Sequence, residues 1–284
     1  MPEEEPLLTD IRRYFSFLRQ CGYRVSISCV DRNLRVLYPV FATMEVHPCA
    51  LCDFIKARER RFCLRNKERL CEAGITAPQY AVCPFGVEEY IYPVLQEGKA
   101  VVYLHASGYR GRILLTKERL SVWEKRFGQA YAAEYEKLDP LPPDAVQIRA
   151  VLAPLGHMIS LFYDKFVAGR VLTGRYDRIY AEIMDYIYKN YHTDFSVDDM
   201  AAALHYSASH LRAVFRQKSG YALSAFLADF RLSQAKQMLR TSEKPIADIG
   251  RLCGFPDAGH FAVLFRKKYG VSPRQYRRKN EAGR

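Results

Sequence analysis

The sequence repeats one pattern fifty residues apart, as His210-Leu-Arg-Ala-Val-Phe-Arg-Gln-Lys-Ser-Gly220 and as His260-Phe-Ala-Val-Leu-Phe-Arg-Lys-Lys-Tyr-Gly270. A short apolar segment and a tight turn precede each copy, Met200-Ala-Ala-Ala-Leu-His205 and Ile249-Gly-Arg-Leu-Cys-Gly254. Two short helices at a sharp angle form a helix-turn-helix, whose second helix fits the major groove of DNA. Two copies are too few for a solenoid. The repeat predicts two helix-turn-helix subdomains joined by a long helix from Leu223 to Leu239.

Basic residues are concentrated in the same part of the chain. The 284 residues include 43 Lys and Arg against 31 Asp and Glu, a net charge of +12. Residues 175–284 contain 19 basic and 11 acidic residues, a net charge of +8. An excess of this sign next to helix-turn-helix patterns favours double-stranded DNA as the partner.

The second copy and its flanks carry a highly specific signature. It reads Pro245-Ile-Ala-Asp-Ile-Gly-x-x-Cys-Gly-Phe, followed by Phe261-x-x-x-Phe-Arg-Lys-Lys-Tyr-Gly-Val-Ser-Pro-Arg-Gln-Tyr276. Through these residues the chain, over about 178–279, resembles the AraC/XylS family of bacterial transcription regulators. The resemblance implies recognition helices that enter successive major grooves on one face of the duplex, joined by the helix containing Arg231 and Leu232.

The second helix of each copy is expected to contact DNA. We expect base-facing positions at Ser209, Arg212, Ala213 and Arg216 in the first copy and at Asp257, Ala258, Ala262 and Val263 in the second. Arginine reads guanine by paired hydrogen bonds, whereas Ala213 and Val263, where many relatives have Arg, offer only methyl groups. Base recognition should therefore depend on Arg212 and Ser209, and the second copy should mainly hold phosphate. The predicted DNA contacts are Ser207, Ser209, His210, Arg212, Arg216, Lys218, Asp257, Ala258, Ala262, Arg266, Lys267 and Lys268. The predicted core of the two copies is Leu211, Phe215, Cys253, Phe261 and Phe265, and we expect His210 and His260 to start or pack helices.

The first part of the chain alternates helical and strand-like patterns. We predict a helix capped by Thr9 or Asp10, a hairpin of Tyr23–Val30 and Leu34–Tyr38, a helix from about Pro48 to Glu72, strands at Gln79–Cys83, Tyr90–Leu95 and Ala100–Ala106, and a helix from about Thr116 to Tyr135. This order predicts an α+β sensor-like domain with one central antiparallel sheet, followed by an all-α domain.

The proline-rich segment Leu138-Asp-Pro-Leu-Pro-Pro-Asp144 marks a domain boundary. We expect domains at 1–142 and 175–284, with a linker or dimerisation helix at 143–174. Its apolar positions, Ile148 to Phe166, recur at helical spacing and can form a dimer seam, dock on the first domain or pack as an ordinary core helix. Its strongly apolar stretch, Val151 to Tyr163, is shorter than a membrane span, and the start Met-Pro-Glu-Glu-Glu lacks the features of a secretion signal. We expect a cytoplasmic protein without a membrane partner.

From His47 onward the sequence is similar, over about 60 residues, to the PocR sensory domain, a PAS-like module. The residues that carry the similarity are Cys52-Asp-Phe-Ile55, Arg61-Phe-Cys63, Asn66, Tyr80-Ala-Val-Cys-Pro-Phe-Gly-Val-Glu88, Pro93-Val94 and Gly98. The similarity implies a small organic effector, such as a short diol or polyol. Pro84 and Gly111 depart from the family pattern. The expected ligand-binding residues are Cys52, Cys63, Tyr80, Cys83, Phe85, Glu88 and Tyr103.

Cysteines suggest an alternative kind of sensor. Cys49, Cys52, Cys63 and Cys83 are candidate ligands for zinc or an iron–sulfur cluster, or thiols of a redox switch. Their spacing is not a paired C-x-x-C arrangement, so free thiols that pack or line a pocket are the competing interpretation. His47 and His105 could join such a site.

The sequence gives no sign of an enzyme. It has no phosphate-binding glycine loop, nucleophile elbow or HExxH zinc motif. We therefore expect a one-component regulator that acts as a homodimer on promoter DNA, with RNA polymerase as a partner. The alternatives are a metal- or redox-responsive regulator and an architectural DNA-binding protein without a sensor.

Overall fold

The computed structural model describes residues 5–38, 40–45, 47, 49–110, 115–168, 174–241 and 244–281. The chain divides into two compact units, Met1–Arg170 and Val171–Arg284. Helices of the N-terminal unit are α1 (Pro6–Gln20), α2 (Arg32–Leu37), α3 (Val40–Met44), α4 (Ala50–Glu72), α5 (Leu115–Phe127), α6 (Gln129–Glu136) and α7 (Ala145–Phe166). Its strands are β1 (Val25–Cys29), β2 (Gln79–Val82), β3 (Val87–Gln96) and β4 (Lys99–Arg110). Pro48, Gly111 and the end of the predicted linker lie outside the described residues.

The N-terminal unit contains one antiparallel sheet, with strand order β1-β4-β3-β2. The predicted central antiparallel sheet is confirmed, and the three predicted strands after residue 78 correspond to β2, β3 and β4. The predicted helix before them is α4, with one non-helical residue at Glu59.

The predicted hairpin near the N-terminus is wrong. The Asp31 carboxylate accepts a hydrogen bond from the Asn33 N–H at 2.8 Å, which caps a helix rather than a turn between strands. Leu34 to Leu37 therefore continue α2, and β1 pairs with β4. The backbone after β1 follows the local cap.

Two helix boundaries also differ from the prediction. Thr9 and Asp10 lie inside α1, which begins at Pro6 because proline suits the first turn of a helix. The predicted helix from Thr116 to Tyr135 is two helices, α5 and α6, since Gly128 between them has φ of 61°.

One of the two faces of the sheet is apolar and lies in the core. This face carries Val25, Ile27, Leu104 and other apolar residues that pack with α1 and α7. Gly156 of α7 lies so close to the sheet that a Cβ atom there would come within 2.8 Å of the Tyr92 ring. Ile148, Leu152, Leu155, Ile159 and Phe162 of α7 are fully buried.

Helix α7 packs within the N-terminal unit. Its apolar face is part of the core of the N-terminal unit, as expected of an ordinary core helix. The division between the compact units falls at residue 170, whereas we placed the first boundary at 142. Among the described helices, α7 is the one long and apolar enough to cross a membrane by length and composition, although its apolar face is covered by this unit.

A buried carboxylate joins three elements of the N-terminal unit. Glu45, at the end of α3, accepts a hydrogen bond from the Cys29 N–H of β1 at 3.0 Å. Its Oε2 lies 3.2 Å from Lys67 Nζ of α4 and 3.7 Å from the Arg35 guanidinium of α2. Burial raises the pKa of Glu45, but the two cations more than offset this effect and hold the pKa below 4.5.

The C-terminal unit consists of helices joined by turns. They are α8 (Arg175–Asn190), α9 (Val197–Ala203), α10 (Ala208–Ser219), α11 (Leu223–Thr241), α12 (Ile246–Leu252), α13 (Ala258–Tyr269) and α14 (Pro273–Glu281). The predicted helices of both repeat copies are confirmed as α9 with α10 and α12 with α13, and α11 is the predicted long helix. Helix α14, a strongly polar helix, was not predicted from the sequence.

We expect Glu45→Gln to lower the free energy of unfolding of the N-terminal unit by about 3 kcal/mol, because Lys67 and Arg35 would lose their buried counter-charge. Urea titration should show the loss at pH 7. The loss should shrink as pH falls from the ordinary pKa of a glutamate through the lowered pKa of Glu45, because the wild-type carboxylate then gains a proton and loses its contribution. Glu134→Gln, at the exposed pair with Lys137, is the control and should cost under about 1 kcal/mol. Equal losses in the two variants would contradict the assigned role of Glu45.

Candidate functional site

Helix α10 has a buried side and an exposed side. The Ser207 hydroxyl begins the helix by accepting a hydrogen bond from the His210 N–H at 3.2 Å. Leu211, Val214 and Phe215 are buried. The positions that we predicted to face bases are all solvent-exposed: Ser209, Arg212, Ala213 and Arg216. The core therefore leaves this face of α10 open for another molecule.

Two predicted DNA contacts on α10 pair with acidic residues of the same unit. The Arg212 guanidinium lies 3.3 Å from Asp198 Oδ2. Lys218 Nζ lies 2.5 Å from the Asp177 carboxylate. Such solvent-accessible pairs contribute about 0–1 kcal/mol, so a phosphate or a base can replace the acidic partner at little cost.

Helix α13 repeats the arrangement with different side chains. The Asp257 carboxylate, which we predicted to face bases, accepts a hydrogen bond from the His260 N–H and so caps the helix. Phe261 and Phe265 are fully buried. Ala258 is exposed, Ala262 is half-buried and Val263 has 66% of its surface exposed. An apolar side chain this exposed on a recognition helix offers a methyl contact rather than a hydrogen bond.

The last turn of α13 presents three exposed cations: Arg266, Lys267 and Lys268. Lys268 Nζ lies 2.8 Å from Asp229 Oδ1 and also donates to the Asp229 carbonyl oxygen at 3.2 Å. Within the described part of the chain, Arg266 and Lys267 form no ion pair. These two cations are therefore the ones best placed to bind phosphate.

His210 lies beside two tyrosines at the start of α10. Its ring centroid is 6.1 Å from that of Tyr176 and 5.9 Å from that of Tyr206. This is the packing position that the sequence predicted for it.

The residues predicted to bind an effector do not form one group. Cys52, Cys63, Cys83 and Phe85 belong to one apolar cluster with Trp123. Tyr80 packs instead against Tyr90, and its hydroxyl donates to the Pro143 carbonyl oxygen. Tyr103 is fully buried, and its hydroxyl accepts a hydrogen bond from the Ile75 N–H at 2.9 Å. Glu88 is buried.

The predicted cysteine ligands also fail to assemble as a metal site. Cys49 begins α4, where its sulfur accepts a hydrogen bond from the Cys52 N–H at 3.3 Å. Hydrogen bonding by Cys52 lowers the pKa of Cys49, whereas burial raises the pKa of Cys83. All four thiols are free, and among the described residues no three of them converge as potential ligands.

Three other side chains do converge in the N-terminal unit: His47, Glu89 and His105. Glu89 Oε2 lies 3.0 Å from His105 Nδ1 and 4.0 Å from His47 Nε2. His105 Nε2 lies 2.9 Å from Ser28 Oγ. Burial raises the pKa of Glu89, but the two imidazoles more than offset this and lower it, while burial lowers the pKa of His47 to about 3.

This group lies on the polar face of the sheet, opposite the face that packs against α7. By strand register, Ser26 is opposite His105 and Ser107 is opposite Glu89. Both serine side chains are fully buried, and their hydroxyls have no hydrogen-bond partner among the described residues. Four residues of this face were not predicted from the sequence: Glu89, Ser26, Ser28 and Ser107. The signal that could have indicated them was the alternation of polar with apolar residues along strands that are buried on both faces.

A helix-turn-helix domain model matches residues 200–279. The curated relatives include the HTH-type transcriptional activator RhaR of Pectobacterium carotovorum, 40% identical over 75 residues that are 26% of this chain and 26% of the relative. RhaR of Yersinia pseudotuberculosis is 42% identical over 69 residues, or 24% of each chain. The chain thus spans about a quarter of the length of these relatives.

Similar solved structures include an AraC-type DNA-binding-domain regulator from Chromobacterium violaceum, 30% identical with a TM-score of 0.32, covering 35% of this chain and 88% of that one. The DNA-binding domain of AdpA bound to target DNA is 30% identical with a TM-score of 0.35, covering 37% and 94%.

Residues 200–279 form a helix-turn-helix domain. Its two subdomains meet where the loop after α8 touches α11 and the turn after α12. Arg231 of α11 donates hydrogen bonds to the carbonyl oxygens of Tyr191 at 2.9 Å and Thr193 at 2.8 Å. Gly254 has φ of 82°, and a Cβ atom there would come within 2.2 Å of the Tyr191 carbonyl oxygen. Only glycine fits at this contact.

We expect Gly254→Ala to destabilise the helix-turn-helix domain by about 3 kcal/mol or more, because it combines an unfavourable backbone conformation with a steric clash. Gly220→Ala is the matched control. Gly220 has φ of 77° but open space around its Cβ position, so the change should cost about 1–2 kcal/mol. Urea denaturation, followed by circular dichroism of this mainly helical domain, measures both effects. A similar cost in the two variants would show that the contact at Gly254 is unimportant.

Proposed function

We propose that this chain is a transcription regulator that binds promoter DNA through α10 and α13 and responds to a small organic effector bound by its N-terminal unit. The observation that carries the DNA-binding part is the pair of exposed helix faces in the AraC-type domain. The relatives named as transcriptional activators support a role in transcription. We place the protein in the cytoplasm, with RNA polymerase as a further partner, and propose no enzymatic activity.

The two recognition helices would have different tasks. Arg212 and Ser209 on α10 would read bases, with Arg212 exchanging Asp198 for a guanine edge. Arg266 and Lys267 on α13 would hold phosphate, since they are exposed and form no ion pair with described residues. Methyl groups at Ala258, Ala262 and Val263 would contribute apolar contacts.

The N-terminal unit would bind the effector over the polar face of the sheet. Ser26 and Ser107 carry buried hydroxyls that have no partner among the described residues, and these suit the hydroxyl groups of a short diol or polyol. Tyr103 is the residue of the predicted ligand set that lies on this face. A PocR-like or PAS-like character of the unit is part of the same proposal.

We also propose that the protein forms a homodimer, but through a surface other than the apolar face of α7. The apolar face of α7 is covered by its own unit, so a dimer would have to use another surface. The effector would act by binding one of two conformations of the regulator more tightly.

We expect Arg212→Ala to weaken binding to an operator by about 1–3 kcal/mol and to relax sequence preference, while Lys267→Ala should weaken operator and random duplex alike. The operator is first selected from a pool of random duplexes with the wild-type protein. Titrations at several salt concentrations then measure affinity, and Lys267→Ala should also reduce the salt dependence. Lys137→Ala, in the N-terminal unit, is the control. Identical effects of the Arg212 and Lys267 changes on both duplexes would refute the division of roles.

We expect a short diol to raise the melting temperature of the N-terminal unit, and Ser107→Ala to weaken diol binding about tenfold, as for one lost hydrogen bond. Without diol, the Ser107 change should not lower stability, because no partner is lost. Ser233→Ala in the other unit, whose hydroxyl donates to the Phe230 carbonyl oxygen, is the control. Thermal unfolding over a diol series measures both. An unchanged diol response in the Ser107 variant would contradict this placement.

A further inference from the structure

We propose that His47, Glu89 and His105 bind one divalent transition-metal ion, zinc or ferrous iron, inside the N-terminal unit. The proposal does not depend on the DNA-binding function or on the identity of the effector. It also differs from a thiolate site, because its ligands are two imidazoles and one carboxylate. Two histidines with one carboxylate are a donor set that holds zinc or ferrous iron in proteins.

The distances between the donor atoms suit a single ion. Ligand atoms about 2.0–2.2 Å from one metal ion lie roughly 3–3.5 Å from one another. Here Glu89 Oε2 is 3.0 Å from His105 Nδ1 and 4.0 Å from His47 Nε2, and the three donors all lie within 4.8 Å of one another. The Glu89–His105 distance is already in this range, and His47 must move toward Glu89 to complete the set.

The surroundings of His105 prepare its Nδ1 atom for a metal ion. Ser28 Oγ lies 2.9 Å from the opposite ring nitrogen, Nε2, and both side chains are fully buried. When Nε2–H donates to this hydroxyl, the neutral ring has its lone pair on Nδ1, facing Glu89. Histidine ligands of metals are commonly oriented in this way by a hydrogen bond from the second nitrogen.

The space between His47 Nε2 and Glu89 Oε2 can hold a cation. At 4.0 Å, His47 Nε2 and Glu89 Oε2 are too far apart for a hydrogen bond. A metal ion placed between the two atoms would bind both of them.

Three protein ligands leave coordination positions for water or another oxygen ligand. The unpartnered hydroxyls of Ser26 and Ser107 lie opposite His105 and Glu89 in the strand register. They can bind a molecule that occupies those positions. The polar face of the sheet then forms a metal site with a second ring of hydrogen-bonding groups.

The test is titration of the chelator-treated full-length protein with Zn²⁺, and with Co²⁺ as a spectroscopic probe. We expect one ion per chain and cobalt d–d absorption without thiolate charge transfer. Glu89→Gln and His47→Gln should each weaken Zn²⁺ binding at least 100-fold. Ser28 only orients His105, so Ser28→Ala should weaken Zn²⁺ binding about tenfold.

Cys63→Ser and Cys83→Ser are the matched controls, and both should retain one ion per chain with unchanged affinity. Circular dichroism checks the fold of each variant, and the partly exposed His47 provides a change that spares the sheet if the Glu89 variant does not fold. The proposal is overturned if the wild-type protein binds no stoichiometric metal. It is equally overturned if the cysteine variants lose the ion while the His47 variant keeps it.

Discussion

The geometry of the C-terminal unit depends on the hydrogen bonds that the Arg231 guanidinium donates to backbone carbonyl oxygens. The guanidinium is buried, and it meets the carbonyl oxygens of Tyr191, Thr193 and Phe195 at 2.9, 2.8 and 3.5 Å, beside the Phe195 ring. Burial of a cation is costly unless its donors are satisfied, so α11 can occupy only the position in which these carbonyls face the guanidinium. Gly254 reaches the same carbonyls from the second subdomain. One polar contact thus fixes both helix-turn-helix subdomains relative to the helix that joins them.

The N-terminal unit obeys a different constraint, the alternation of side chains along its strands. Because neighbouring residues point to opposite faces, the apolar residues of β1 and β4 require a cover, which α1 and α7 supply. The remaining positions bury serines, a histidine and a glutamate on the other face. A buried polar group without a partner costs about 1–3 kcal/mol, so burying such groups on one face of the sheet lowers the free energy of unfolding. Such a cost is typical of a place where another molecule binds.

Local signals in the sequence were sufficient for the two helix-turn-helix copies of the C-terminal unit. Ser196, Ser207 and Asp257 each cap the helix that follows, and Gly220 and Gly270 end α10 and α13. In the N-terminal unit the decisive relations are non-local. Glu89 and His105 meet because β3 pairs with β4, and His47 joins them from the segment before α4, which no spacing along the chain reveals. The sequence favoured cysteines as metal ligands because they are close together along the chain. The structure instead brings imidazoles and a carboxylate together.

The pairing of cations with acids in the C-terminal unit bears on how selectively it can bind DNA. Arg212, Lys218 and Lys268 already contact Asp198, Asp177 and Asp229. Each exposed pair is weak, but breaking it offsets part of the gain from a phosphate contact. Random DNA offers only that phosphate gain, whereas a matching base edge gives Arg212 two directed hydrogen bonds. The acidic partners therefore penalise non-specific binding more than specific binding, and they moderate the +8 charge of this part of the chain without removing its ability to read sequence.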